Sequence, residues 1–144
     1  MVEDRLDQFS KTKVTEVMIK NPIFTTPDEK ISATELIMIK KNIGGLPVVD
    51  NQKSLRVIGI VTQRDIRLAR FAVSLDSPYT TVKDLMTAEP YCVNKDDTIK
   101  DVLDLMFEKK VERLPVVNDH NELIGLILQQ DILKKIHDLL RVYR

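Results

Sequence analysis

The chain holds a single cysteine, Cys92, which excludes an internal disulfide and any cysteine-based zinc site. Its histidines, His120 and His137, lie far apart without ligand-spaced neighbours, so nothing in the spacing argues for a metal. Net charge is missing as well, because 22 basic residues meet 22 acidic ones. That balance supplies no general drive toward nucleic acid or an anionic membrane, and it gives little colloidal protection, so self-association is expected. No apolar run approaches the roughly 20 residues that span a bilayer, and the opening Met-Val-Glu-Asp-Arg does not read as a signal peptide. A soluble cytoplasmic protein is the expectation. No nucleophile–base set and no paired carboxylates with evident geometry stand out, so an enzyme is not expected.

What the chain does have is self-similarity. An offset of 68 places Val14, Met18, Pro22, Asp28, Ile31, Met38, Lys41 and residues 46–49 on identical residues between Val82 and Val117. Shortening the offset to 66 then matches Ile58, Gly59, Gln63, Asp65 and Ile66 with Ile124, Gly125, Gln129, Asp131 and Ile132. The slip falls in polar residues 50–56, where a turn absorbs it. At 144 residues the chain can bury one adequate core, whereas half of it would be marginal. One compact domain made of two half-units, residues 1–73 and 74–144, is therefore expected.

Each copy reads in the same order. Val14, Val17 and Met18, like Val82, Leu85 and Met86, are spaced i, i+3, i+4 and form a short helical lead-in ended by Pro22 or Pro90. A brief strand follows at 23–25 or 91–93, then a helix at 31–41 or 98–109. Ile99, Val102, Leu103 and Met106 make one apolar stripe, while Leu36-Ile37-Met38-Ile39 predicts a helix buried on more than one side. Strands are predicted at 46–49 and 114–117, led by proline, and at 57–61 and 123–128, apolar runs suited to a sheet covered by helices. A last helix begins near Thr62-Gln63-Arg64-Asp65 and near Leu128-Gln129-Gln130-Asp131; the second carries Ile132, Leu133, Ile136, Leu139 and Leu140. Residues 74–81, with Ser77-Pro78, read as the connection. The fold class is α/β, a tandem β-α-β-β-α repeat.

Leu-Pro-Val-Val in both copies and Gly-Ile-Val-Thr-Gln-Arg-Asp in the first resemble the CBS domain, and the tandem resembles the pair called a Bateman module. The resemblance runs over roughly residues 12–140. It implies a pseudo-two-fold pair with two sheets, outer helices and two clefts, and homodimers shaped as flat discs. It also implies adenosine-containing ligands in those clefts (AMP, ADP, ATP or S-adenosylmethionine), acting as regulatory ligands and not as catalytic cofactors.

An adenine nucleotide asks for an apolar slot, a carboxylate for the ribose diol and donors for phosphate. Asp65 offers two acceptor oxygens, Thr62 a hydroxyl where a strand becomes a helix, and Ile60 an apolar wall, with Arg64 beside them. Carried over from the family by position, Tyr91, Val111, Glu112 and Arg113 of the other copy complete this cleft, with Arg113 on the phosphate. Glu112 opposes a polyphosphate, which favours AMP over ATP. The second cleft would draw on Leu126, Gln130 and Asp131 with Asn21, Ile23, Ile43 and Gly44. Leu128 stands there in place of Thr62 and no cation is among the partners, so it is expected to be weaker or empty.

Plainer readings stand beside these. Thr62-Gln63-Arg64-Asp65 is equally a helix-capping pattern, although Asp131 persists where the capping threonine is gone. Arg113 reads as a solvated arginine, Tyr91 as a half-buried strand residue, Met18 and Met86 as core filler, and His120 as a turn residue. The leading function is a regulatory adenine-nucleotide sensor, whose output passes through an effector protein or a dimer rearrangement. The alternative is an interaction scaffold that has lost its ligand. A nucleic-acid role for Lys134, Lys135, Arg141 and Arg144 is opposed by overall neutrality.

Overall fold

In the computed structural model, which describes residues 2–72 and 79–141, the repeat shows in the backbone before any side chain is considered. The non-glycine residues with positive φ are Asn21 and Glu89, Asn42 and Lys110, and Leu55 and Asn121. These are equivalent positions under the two offsets. Asn42 and Lys110 end helices in the left-handed conformation, each donating its N–H back to the last turn.

Along the chain run α1 (Val2–Ser10), β1 (Ile19–Lys20), α2 (Ile31–Lys41), β2 (Gly45–Val49), β3 (Val57–Thr62) and α3 (Gln63–Ala72). Then come α4 (Val82–Leu85), β4 (Thr87–Ala88), β5 (Val93–Asn94), α5 (Ile99–Lys109), β6 (Arg113–Val117), β7 (Leu123–Leu128) and α6 (Gln129–Arg141). The strands form a four-stranded sheet in the order β1-β7-β6-β5 and a three-stranded sheet in the order β2-β3-β4. This mixed architecture with two sheets and outer helices is the α/β class read from the repeat.

Two compact units result, and each takes its lead-in from the other repeat. Unit 1 comprises Met1–Pro22, Tyr91–Asp119 and Ile124–Arg144; unit 2 comprises Ile23–Pro90 and His120–Leu123. In unit 1, Val14 is fully buried with Ile99, Met106, Leu114, Ile127 and Ile132. In unit 2, Val82 is fully buried with Ile31, Met38, Leu46, Val61 and Ile66. Backbone bonds fasten each lead-in: Val14 N–H to Asp97 O at 2.9 Å in unit 1, and Val82 N–H to Glu29 O at 2.9 Å in unit 2. Strand β1 pairs antiparallel with β7, and β4 with β3. A glycine marks each seam. A Cβ on Gly125 would collide with Met18 Sδ and lie 3.0 Å from Ile19 O; one on Gly59 would lie 2.6 Å from Met86 Sδ and 3.1 Å from Thr87 O. Met18 and Met86 do fill the core edge, each against the glycine of the opposite repeat.

Several details depart from the sequence reading. Strands β1 and β4 lie between the lead-in turn and Pro22 or Pro90; two residues are too short for alternation to register. The strand predicted at 23–25 reduces to a single parallel bridge, Thr25 to Val48, and its counterpart begins at Val93, two residues late. Pro47 and Pro115 stand third in their strands, with Pro47 opposite Ile60. Helix α2 is not buried on several sides: Leu36, Ile37 and Ile39 are 51%, 39% and 63% exposed, and Met38 alone of that run is buried. The apolar girth of α2 follows from an unpartnered face and not from a deeper core. Residues 74–78 of the expected connection lie outside the described residues; Thr81 caps α4 in a reciprocal pair with Asp84.

Unit 2 buries a polar pair where unit 1 is apolar. Thr25 and Thr34 hydroxyls lie 3.1 Å apart, both buried, at positions equivalent to Val93 and Val102. Replacing one threonine by valine strands the other hydroxyl and should cost about 1–2 kcal/mol. Replacing both reproduces the unit 1 solution and should leave stability within about 0.5 kcal/mol of the parent, or above it. Urea melts of the two single variants and the double variant check this; additive losses would contradict it.

Candidate functional site

Each unit contains one corner where a strand start, a strand end and a helix mouth meet. In unit 2, β2 and β3 pair with Gly45 opposite Thr62, and Gln63 N–H donates to Gly44 O at 2.9 Å. In unit 1 the equivalent bond runs from Gln129 N–H to Glu112 O at 2.8 Å. Ile43, Gly44, Ile60, Thr62, Arg64 and Asp65 thus share the unit 2 corner. Val111, Glu112, Arg113, Gln130 and Asp131 share the unit 1 corner. Arg113, the first residue of β6, therefore lies in the same unit as Asp131.

The two helix mouths differ in how they are closed. In unit 2, Thr62 N–H donates to Asp65 Oδ2 at 2.9 Å, and Asp65 N–H donates to Thr62 Oγ1 at 3.1 Å. The capping reading is correct as far as it goes, and it engages one carboxylate oxygen in advance. Asp65 makes no other hydrogen bond among the described residues, so Oδ1 and the second lone pair of Oδ2 stay open there, as does the Thr62 hydroxyl proton. In unit 1, Leu128 has no hydroxyl, and half-buried Asp131 takes no hydrogen bond from any described residue. Both of its oxygens are open.

Gln63 was missed as a site residue. Its Nε2 donates to Ile43 O at 2.9 Å and fixes the Ile43–Gly44 backbone at the corner. Its identity with Gln129 under the repeat was the available signal, but glutamine carries no charge or nucleophile to draw notice. The remaining candidates sit as follows. Ile60 is half-buried in β3, whereas Leu126 is buried, 4% exposed, with its Cα opposite Ile19. Tyr91, in unit 1, is half exposed with Lys109 Nζ 5.1 Å from its ring centroid, and exposed Asn21 also belongs to unit 1. Ile23, in unit 2, is 40% exposed. Cys92 is half-buried, and burial pushes its thiol up to about 11, which keeps it protonated at neutral pH. No group of three or more metal-ligating side chains occurs among the described residues. No helix among them is long and apolar enough to cross a membrane.

The family model described as CBS domain matches twice, at residues 14–71 and 82–138. The chain belongs to the CBS domain family. Inosine-5'-monophosphate dehydrogenase of Methanocaldococcus jannaschii is 38% identical over 135 residues, which is 93% of this chain and 26% of that protein. The chain thus spans about a quarter of the length of such relatives. Among solved structures, CBSX2 in complex with AMP superposes with a TM-score of 0.78 at 26% identity, covering 92% of this chain and 99% of the other. The CBS domain pair of protein MJ0100, in complex with 5'-methylthioadenosine and S-adenosyl-L-methionine, gives 0.76 at 28% identity, covering 88% and 97%. The match thus takes in nearly all of both solved chains.

Proposed function

We propose that this CBS pair is a regulatory module that binds adenosine-containing ligands at its helix-mouth aspartates, with AMP the preferred nucleotide. The observation that carries the reading is the aspartate itself. It stands at the same helix position in both units, half-buried, with acceptor oxygens left over after the local hydrogen bonds are counted. Capping accounts for part of Asp65 and for nothing of Asp131. A vicinal ribose diol supplies the two donors that such a carboxylate lacks.

The corners differ in where the arginine stands, and this predicts different ligands. Arg113 brings a fixed cation and a forked donor set to the unit 1 corner, which suits a phosphate. The exposed Glu112 beside it disfavours a longer, more anionic chain, so AMP fits better than ATP. The unit 2 corner presents Gly44, Thr62 and Asp65, a set suited to an adenosine, while its Arg64 is exposed on the helix and not at a strand start as Arg113 is. The neighbours' bound AMP on one hand, and methylthioadenosine and S-adenosylmethionine on the other, are examples of these two classes. The proposed activity is regulatory, a reading that the match of both repeats to the CBS domain supports. Exposed Leu36, Ile39, Leu68 and Phe71 on α2 and α3 favour a second copy as a further partner, in a soluble homodimer.

Thermal melting tests the reading. A ligand at 100 times its Kd should add about 2.7 kcal/mol, roughly 5–10 °C for a chain of this size. AMP should shift the parent by that amount, and Asp131→Ala and Arg113→Ala should each remove most of the shift. Asp65→Ala should remove the shift given by methylthioadenosine, measured from the variant's own baseline, because that substitution also costs about 1 kcal/mol of capping. No shift with AMP, methylthioadenosine or S-adenosylmethionine would leave the ligand-free scaffold as the better account.

A further inference from the structure

Helices α3 and α6 are equivalent, yet two differences coincide on α6. The first lies at its mouth. Helix α3 enters with its first turn closed by the reciprocal Thr62–Asp65 bonds, whereas Leu128 and unbonded Asp131 leave the α6 mouth without a side-chain cap. The Asp131 N–H therefore lacks the hydroxyl partner that Thr62 gives to Asp65 N–H.

The second lies on its flank. Helix α1 packs on α6 and α5, with Phe9 against the unit 1 core. Leu103 of α5 and Ile136 of α6 also pack against that core. The equivalent residues of unit 2 are Glu35 and Arg70, which form an ion pair of 2.5 Å between α2 and α3. One seam is apolar and carries a covering helix; the other is sealed by charge. The C-terminal end of α1 is tied down, since Ile99 N–H donates to Thr12 O at 2.9 Å. The helix itself rests on α5 and α6. At nine residues it is too short to persist in water by itself, so its hydrogen bonds report whether it is docked.

We infer that α1 is the readout of the Asp131 corner: an adenosine ligand on Asp131 fixes the first turn of α6 and thereby tightens the docking of α1. The path is short. Asp131 is followed by buried Ile132, and Ile136, about one helical turn further, packs on the same core as Phe9 of α1. The Asp65 corner is silent in this respect, because its helix is capped beforehand and bears the ion pair instead of a cover. The inference rests on the reading of Asp131 as the ribose grip. Linkage makes it reciprocal, so α1 docking strengthens ligand binding by the factor by which ligand strengthens docking.

Hydrogen exchange on the full chain, with calorimetry to record binding, decides the matter. Saturating AMP should slow exchange of the α1 amides at least about 5-fold, the lower end of ordinary coupling. Asp131→Ala should abolish that response and Asp65→Ala should leave it. The double substitution Leu103→Glu with Ile136→Arg, which installs the unit 2 seam, should keep AMP binding while α1 protection no longer responds. Should AMP bind by calorimetry with α1 exchange unchanged, or should the response depend on Asp65 instead, the readout is wrong and the ligand site stands. Should AMP fail to bind at all, the site reading fails and takes the readout with it.

Discussion

Residues 1–72 expressed alone should give a chain with no cooperative thermal transition, although they contain one full sequence repeat. The fragment keeps α2, β2, β3 and α3 but loses Val82, Leu85 and Met86, which pack into their core, and β4, which pairs with β3. It also loses the bonds from Ile31 N–H to Thr80 O and from Lys83 N–H to Pro27 O. At about 1.5–3 kcal/mol for each large apolar side chain, the lost burial approaches 5 kcal/mol or more. A whole domain has about 5–15 kcal/mol to spare. Val14 and Met18 meanwhile sit on the fragment with nothing to cover. Residues 23–90, which hold all of unit 2 but His120–Leu123 and keep its proper lead-in, should melt cooperatively. Circular dichroism of both fragments checks the contrast, and a cooperative melt of residues 1–72 would contradict the exchange of lead-ins.

Gly125→Ala should destabilise the protein by about 2 kcal/mol, within the range for overpacking a tight core. The new methyl would meet Met18 Sδ and crowd Ile19 O at 3.0 Å. The thioether is the main obstacle, because Met18 is packed against the unit 1 core, whereas the Ile19 carbonyl of the β1–β7 ladder need give only a few tenths of an ångström. In a Met18→Ala background the same change should cost less than half as much, because the methyl then occupies volume that the methionine vacates. Gly59→Ala should behave alike with Met86→Ala. Denaturant midpoints of the four members of each cycle give the coupling; strict additivity would rule out the proposed contact.

The sequence made the long elements legible because their signals are periodic. Helix α2 at residues 31–41 and the strand pairs around Leu-Pro-Val-Val stand within a residue or two of where the pattern puts them. The two-residue strands β1 and β4 had no period to read, and their pairing depends on Met18 and Met86 fitting over distant glycines. The exposed face of α2 was misread for a related reason: apolarity on every side is the same whether a helix is enclosed or carries a free patch. Of the candidate site, Asp65 and Asp131 were legible as equivalent positions. The sharing of one corner by Arg113 and Asp131 was not, since it is set by a backbone bond from Gln129 to Glu112 that no side-chain identity announces.

Because every unit borrows its opening segment, a gene coding for one repeat would have had to satisfy the same need between molecules. Two identical chains trading N-terminal arms would do so, as in a domain-swapped pair. Duplication and fusion then turn a concentration-dependent trade into an intramolecular one, and free the two halves to diverge. The bare Asp131 beside Leu128, and the valines of unit 1 that stand where unit 2 has a threonine pair, are products of that freedom.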